Sequence, residues 1–139
     1  MILADSNVLL DVITADRQWS RWSQAALDEW SRRGPVLINP VIYAELAPAY
    51  DMIEKLDAAI DAVGLEFHDI PRAALFLASR AYVPYRRRGG TRRSVLPDFF
   101  VGAHAAVLDV PLLTRDMHRY RAYFPSLRLV APAPGSHVG

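Results

Sequence analysis

Short apolar runs alternate with longer stretches of helical periodicity along the whole chain. Met1-Ile2-Leu3-Ala4 is wholly apolar, as expected of a central parallel strand covered on both faces, and it ends at Asp5. Ser6 or Asn7 is placed to cap the following helix, on which Val8, Leu9, Val12 and Ile13 form an apolar stripe. The spacing of Trp19, Trp22, Ala26 and Trp30 predicts a second helix over Gln18–Arg33, stopped by Gly34, with the stripe read as core or partner surface rather than a cofactor box. Val36-Leu37-Ile38 is a second strand. Asn39-Pro40 then supplies a cap and a first helical residue for a helix over 40–48 that carries Glu45. Pro48 and Ala49-Tyr50 break or kink it before a helix over Asp51–Val63, closed by Gly64. Leu65–His68 reads as an edge strand and Pro71–Tyr85 as a helix, followed by a loop, RRRGGTRRSV.

The stretch from Leu96 to Arg119 carries charge in unusual places. Pro97 suits a helix's first position, where its missing N–H costs nothing, and Asp98 suits the positive end of the helix dipole. From Phe99 to Val107 nearly every residue is apolar or small, so this helix is expected to be buried rather than amphipathic. Pro111–Thr114 forms a short apolar strand with Asp116 just past its end, then a helix to Tyr123 and a last strand over Leu127–Val130. No repeat or dividing linker is visible, which gives one domain over residues 1–131 and a Pro/Gly-rich, frayed tail over 132–139. Strands alternating with helices predict an α/β domain with a mostly parallel sheet of about five strands. Ligands of such sheets bind beyond the carboxyl ends of the strands, where the strand order reverses. If the first and fourth strands are neighbours, Asp5 and Asp116 face one crevice that Glu45 and Asp98 complete.

Composition narrows the setting. The chain has 139 residues, 52% of them apolar and 22% charged, which is globular and not disordered. The absence of cysteine excludes a disulfide framework and a thiolate metal site, consistent with a reducing cytoplasm. MILADSN has no basic leader region, and no apolar run approaches the roughly 20 residues that cross a bilayer. A soluble cytoplasmic domain without a membrane role is therefore the expectation. The net charge of +1 conceals an asymmetry: residues 1–70 carry 12 acids against 5 bases, and residues 71–139 carry 3 acids against 11 bases, all arginine. Arginine's planar fork matches phosphate or carboxylate, so a polyanion or an acidic protein partner fits, against the plainer reading that opposite charges mix on the folded surface.

Four carboxylates in one crevice would repel each other and raise their own pKa values unless a cation neutralised them. Hard oxygen ligands at an open site suit Mg²⁺ or Mn²⁺, and two such ions roughly 4 Å apart promote phosphodiester hydrolysis. Each acid also has a plain reading: Asp98 as a helix-start acid, Asp116 as a cap, Glu45 as a solvated helix residue. Asp5, at the end of a buried strand, needs a stronger reason. His104 lies in the buried helix and reads as structural. His118 points elsewhere on its helix, Asp11 reads as a capping or surface acid, and Asp109 sits in a turn.

The pattern resembles the PIN-domain ribonucleases, and among them the VapC-type toxins of VapBC toxin–antitoxin systems. It rests on Asp5-Ser6-Asn7-Val8-Leu9-Leu10-Asp11, Ala44-Glu45-Leu46, Leu96-Pro97-Asp98-Phe99-Phe100-Val101-Gly102-Ala103-His104-Ala105 and Leu113-Thr114-Arg115-Asp116, four motifs in order across nearly the whole chain. The resemblance implies a three-layer α/β/α fold and a metal-dependent endoribonuclease that acts as the toxin of a toxin–antitoxin pair. It implies Asp5, Glu45, Asp98 and Asp116 as catalytic acids, with Asp5, Asp98 and Asp116 holding Mg²⁺ or Mn²⁺. Asn7 and Thr114 match positions that help order the site. An RNA substrate, a VapB-type antitoxin and a homodimer are the partners implied. Pro48, three residues after Glu45, departs from the pattern and can change the aim of that carboxylate. The arginines Arg86, Arg87, Arg88, Arg92, Arg93 and Arg115 are candidates for contact with RNA or antitoxin. The alternative is a catalytically silent PIN-like module that binds RNA or protein. A phosphohydrolase with an Asp5 nucleophile would want a second acid at position 7, where Asn7 stands.

Overall fold

Strands of two or three residues form at short apolar runs bounded by polar or helix-breaking residues. The computed structural model describes residues 1–91 and 96–133. In chain order it contains β1 (Ile2–Ala4), α1 (Ser6–Ile13), α2 (Ser20–Arg33), β2 (Val36–Ile38), α3 (Pro40–Leu46), α4 (Ile53–Val63), β3 (Leu65–Phe67), α5 (Arg72–Arg87), α6 (Pro97–Leu108), β4 (Leu112–Leu113), α7 (Met117–Tyr123) and β5 (Leu129–Val130). Pro48 ends α3 early, and Ala47–Ala49 form a single 3₁₀ turn instead of its last helical residues. Gly64 closes α4 in the left-handed conformation (φ 81°), which a side chain would strain.

All strand pairs are parallel, in the order β3-β2-β1-β4-β5. Leu3 pairs with Leu112 and Ala4 with Leu113, so the first strand and the fourth are neighbours. The strand order reverses between them, and their carboxyl ends lie side by side at the switch point where such sheets form a crevice. Every residue of β1, β2 and β4 is buried, as in a sheet covered on both faces. Each fully buried Leu or Ile there contributes roughly 1.5–3 kcal/mol.

The expectation for α6 holds: Phe99, Val101, Gly102, Ala103, His104 and Ala105 are all buried. Phe99 is the hub of an aromatic cluster, with Tyr123 at 5.1 Å and Tyr85 at 5.7 Å in edge contacts. Gly102 lets α7 approach α6, because a Cβ there would lie 2.6 Å from the Phe124 ring and 3.1 Å from Tyr120. The Trp stripe of α2 is half-buried against the core through Trp22, Ala26 and Trp30. One predicted loop is partly helix: α5 runs on through Pro84 to Arg87, so Arg86 and Arg87 form its last turn and Arg88 its C-cap. Of that loop, Arg92 and Arg93 lie outside the described residues, as does most of the predicted tail. No helix among the described residues is long and apolar enough to cross a membrane.

Candidate active site at the β1–β4 crevice

Asp5 leaves β1 with an extended backbone (φ −68°, ψ 152°) and is itself the N-cap of α1, a place the sequence assigned to Ser6 or Asn7. Its N–H donates to the Leu113 carbonyl at 2.8 Å, extending the β1–β4 ladder by one bond. The Asp5 side chain is 4% exposed and held on both oxygens. Oδ1 accepts the Ser6 N–H at 2.9 Å, and Oδ2 accepts the hydroxyls of Thr114 and Tyr120, each at 2.9 Å. Ser6, relieved of capping, donates its hydroxyl to Glu45 Oε1 at 3.1 Å and so ties α1 to α3.

Thr114 is the fully buried joint of the crevice. Its hydroxyl oxygen accepts the Asn7 amide at 3.3 Å and the backbone N–H of Asp116 at 3.1 Å while donating to Asp5. Asn7 Oδ1 in turn accepts the Arg115 N–H at 3.2 Å. Asn7 and Thr114 thus fix the start of α1 against the loop that carries Asp116.

The electrostatics show which acids are gathered. Burial pushes the Asp5 carboxyl up to about 6, the Thr114 and Tyr120 hydrogen bonds oppose that rise, and the charge of Asp98 adds to it. Glu45 is raised too, first by burial and then by Asp98, with the Ser6 hydrogen bond opposing. Burial, followed by the charges of Asp5 and Asp98, drives the Tyr120 hydroxyl well above its ordinary range, so it stays a hydrogen-bond donor. Asp98 itself is in an ion pair with Arg119, Nη1 to Oδ2 at 2.6 Å.

Three of the four acids therefore share one electrostatic environment. Asp116 joins them through its backbone alone: it is exposed and its side chain does not cap α7. The donor set is all carboxylate oxygen, which suits a hard divalent cation. As placed, no group of three or more Asp, Glu or His side chains among the described residues is ready to hold an ion.

Other candidates have different roles. Asp11 is 3% exposed, not a surface acid. Arg115 donates to it with both arms of its fork, at 2.6 and 2.9 Å, and Ser23 adds a third bond at 2.6 Å. With its guanidinium also over the Trp19 ring, Arg115 braces α1 and α2. Arg86 donates to the Gly90 carbonyl, and Arg88 lies over Tyr123 at 5.6 Å. His118 is exposed.

His104 is fully buried, with Nδ1 3.1 Å from the Asn39 side-chain amide. Asn39 Oδ1 accepts the Ile42 N–H as the α3 cap, so its nitrogen faces His104 and the ring proton belongs on Nε2. Nε2 has no partner, and burial lowers the ring's pKa, keeping it neutral. Its bond with Asn39 links α3 to α6.

Tyr120, Arg119 and Ser6 were missed in the sequence.

No family model matches the sequence, and no curated protein matches it. Solved structures match its fold. VapBC2 from Rickettsia felis, bound to a DNA fragment from its promoter, contains a chain that matches at TM-score 0.71 and 18% identity, over 96% of this chain and 100% of that one. VapBC-1 from nontypeable Haemophilus influenzae matches at TM-score 0.71 and 16% identity, over 94% and 98%. A toxin–antitoxin complex from Klebsiella pneumoniae matches at TM-score 0.65 and 21% identity, over 96% and 98%. At these identities the shared property is architecture: the chain has the PIN-like α/β fold of the VapBC structures.

Proposed function

We propose that this chain is a metal-dependent endoribonuclease acting as the toxin of a toxin–antitoxin pair. The observation that carries the reading is the placing of Asp5 at the buried end of β1, held by Ser6, Thr114 and Tyr120, with Glu45 tied to the same Ser6; burial raises both carboxyls, and the charge of Asp98 adds to the rise in each. Such an arrangement is unfavourable by itself and is relieved by a cation. Asp5, Asp98 and Asp116 would hold Mg²⁺ or Mn²⁺, with Glu45 facing the same crevice. A bound divalent ion supplies an activated water and stabilises the leaving oxygen of a phosphodiester. The protein's own contribution is orientation: Ser6, Thr114 and Tyr120 fix the Asp5 carboxylate, Ser6 aims Glu45, and Thr114 fixes the backbone of Asp116. The basic end of α5, with Arg86, Arg87 and Arg88, supports an RNA substrate.

The toxin reading draws on the matched fold, in which one neighbour is described as a toxin–antitoxin complex. The partner in this reading would be a VapB-type antitoxin. An apolar cleft of about 70 Å³ between α1, α2 and α4, lined by Leu9, Val12, Leu27, Leu56 and Ile60, has room for one apolar side chain of such a partner. The exposed Leu75, Phe76 and Val83 of α5 support a homodimer.

Purified protein should cleave RNA with Mg²⁺ or Mn²⁺, stop on addition of EDTA, and lose activity in Asp5→Asn and Asp98→Asn. Undiminished cleavage by both variants would sink the site assignment. A second reading, a silent module that binds RNA or protein without cleaving, is favoured by one observation: no three acids stand ready for an ion among the described residues. RNA binding without metal-dependent turnover would select it.

A further inference from the structure

We propose that Arg119 is a ligand of the RNA phosphate at this site, holding Asp98 with one nitrogen and offering the rest of its guanidinium to the backbone. The inference rests on RNA being the substrate. A phosphodiester approaching Asp5, Glu45 and Asp98 meets carboxylates that repel it, so a site that receives phosphate needs cationic donors at its rim. Arg119 is in that place. It immediately precedes Tyr120, whose hydroxyl points inward to Asp5, so it stands at the rim of α7 beside the same acids.

The ion pair with Asp98 uses Nη1, and the Arg119 side chain remains 44% exposed. A guanidinium carries five N–H donors in a planar fork, which leaves donors to meet a phosphate's oxygens. An ion pair this exposed adds little stability, so sharing the guanidinium with a phosphate costs little. Three other arginines are engaged away from the site. Arg115 is bidentate on Asp11, Arg33 pairs with Glu29, and Arg128 donates to the Asp109 carbonyl, at the opposite end of the strands. Among the described residues, Arg119 is the base that forms an ion pair with an acid of the crevice.

The test is fluorescence anisotropy of a short single-stranded RNA in EDTA, over a series of KCl concentrations. Arg119→Gln should weaken binding about tenfold, the loss of one charge-assisted contact. It should also lower the slope of log K against log salt by about 0.7, the release of one counterion from a single strand. Arg128→Gln should change neither. Unchanged binding and slope in Arg119→Gln, or an equal loss in Arg128→Gln, overturns the proposal. Should the Gln variant fail to fold, wild-type protein carries the test: RNA should protect Arg119 from phenylglyoxal, and equal labelling with and without RNA overturns the assignment. The nuclease reading is scored separately by turnover with Mg²⁺ or Mn²⁺. Loss of binding in Arg119→Gln without wild-type turnover keeps Arg119 and discards the nuclease, and turnover with unaltered binding does the reverse.

Discussion

Replacing Asp5 by Asn removes a charge that the fold holds at a measurable free-energy cost. The Asp5 carboxyl rises from 3.8 to about 6 on folding. At about 1.4 kcal/mol per pKa unit, ionising it inside the fold costs about 3 kcal/mol. Because the folded pKa is the higher one, this group's stabilising contribution is complete below pH 4 and is lost as pH rises through 6. Glu45, raised by burial and by Asp98, acts in the same direction. An Asn at position 5 does not titrate, so the variant's stability should fall by about 2.4 kcal/mol less than wild type between pH 4 and pH 7. At pH 7 the Asn carbonyl can still accept from Thr114 and Tyr120, but its NH₂ then faces the Ser6 N–H, a mismatch of about 1 kcal/mol. The variant should therefore be more stable than wild type at pH 7 by about 1–2 kcal/mol and less stable at pH 4. Urea unfolding in EDTA at intervals from pH 4 to 7.5 reads this directly. Identical pH slopes for the two proteins would refute the burial argument. Mg²⁺ at a hundred times its Kd should then stabilise wild type by about 2.7 kcal/mol at pH 7. An equal gain in the Asn variant would remove Asp5 from the ligand set.

Gly102→Ala should destabilise by about 1–3 kcal/mol, against the ordinary helical preference for Ala, because its Cβ would press on Phe124 and Tyr120. A thermal melt that rises instead would show that α7 can yield. Arg115→Ala leaves the buried Asp11 charge with Ser23 alone and should cost about 3 kcal/mol. In a double-mutant cycle with Asp11→Ala, strict additivity would deny the coupling. Asn39→Ala removes both the α3 cap and the donor to His104 and should cost about 2–3 kcal/mol by urea unfolding. A change under about 0.5 kcal/mol would show that the α3–α6 link carries no strength.

What was readable in the sequence was local. The apolar runs at Ile2–Ala4, Val36–Ile38 and Leu65–Phe67 sit between an acid, an Asn-Pro pair and glycine, so their strands fall within a residue of expectation. Pro48 shortened α3 as its chemistry requires. The miss at α5 was also local in origin: arginine is a good helix former, so the basic run prolongs the helix past Tyr85 rather than opening a loop. Side-chain destinations were less legible, because they depend on partners far along the chain. Asp11 looked like a surface acid because Arg115 lies 104 residues away in sequence. Tyr120 gave no local sign of its bond to Asp5, 115 residues back. The four acids stood out by position in their motifs, but only the β1–β4 pairing brings Asp5 level with Thr114, and no single segment encodes that pairing.

The same pairing sets an order of assembly during synthesis. The strand made first finds one neighbour early in β2, while its other edge waits for Leu112 and Leu113. Asp5 finds the Thr114 hydroxyl 109 residues further on and the Tyr120 hydroxyl later still. Until α7 has left the ribosome, Asp5 is an ordinary hydrated carboxylate, and the crevice that buries it does not exist. The acids emerge one at a time, and the pocket closes around them only after α7 has followed. A growing chain of this protein thus carries its acid groups past the ribosome's own RNA before they are assembled into a site.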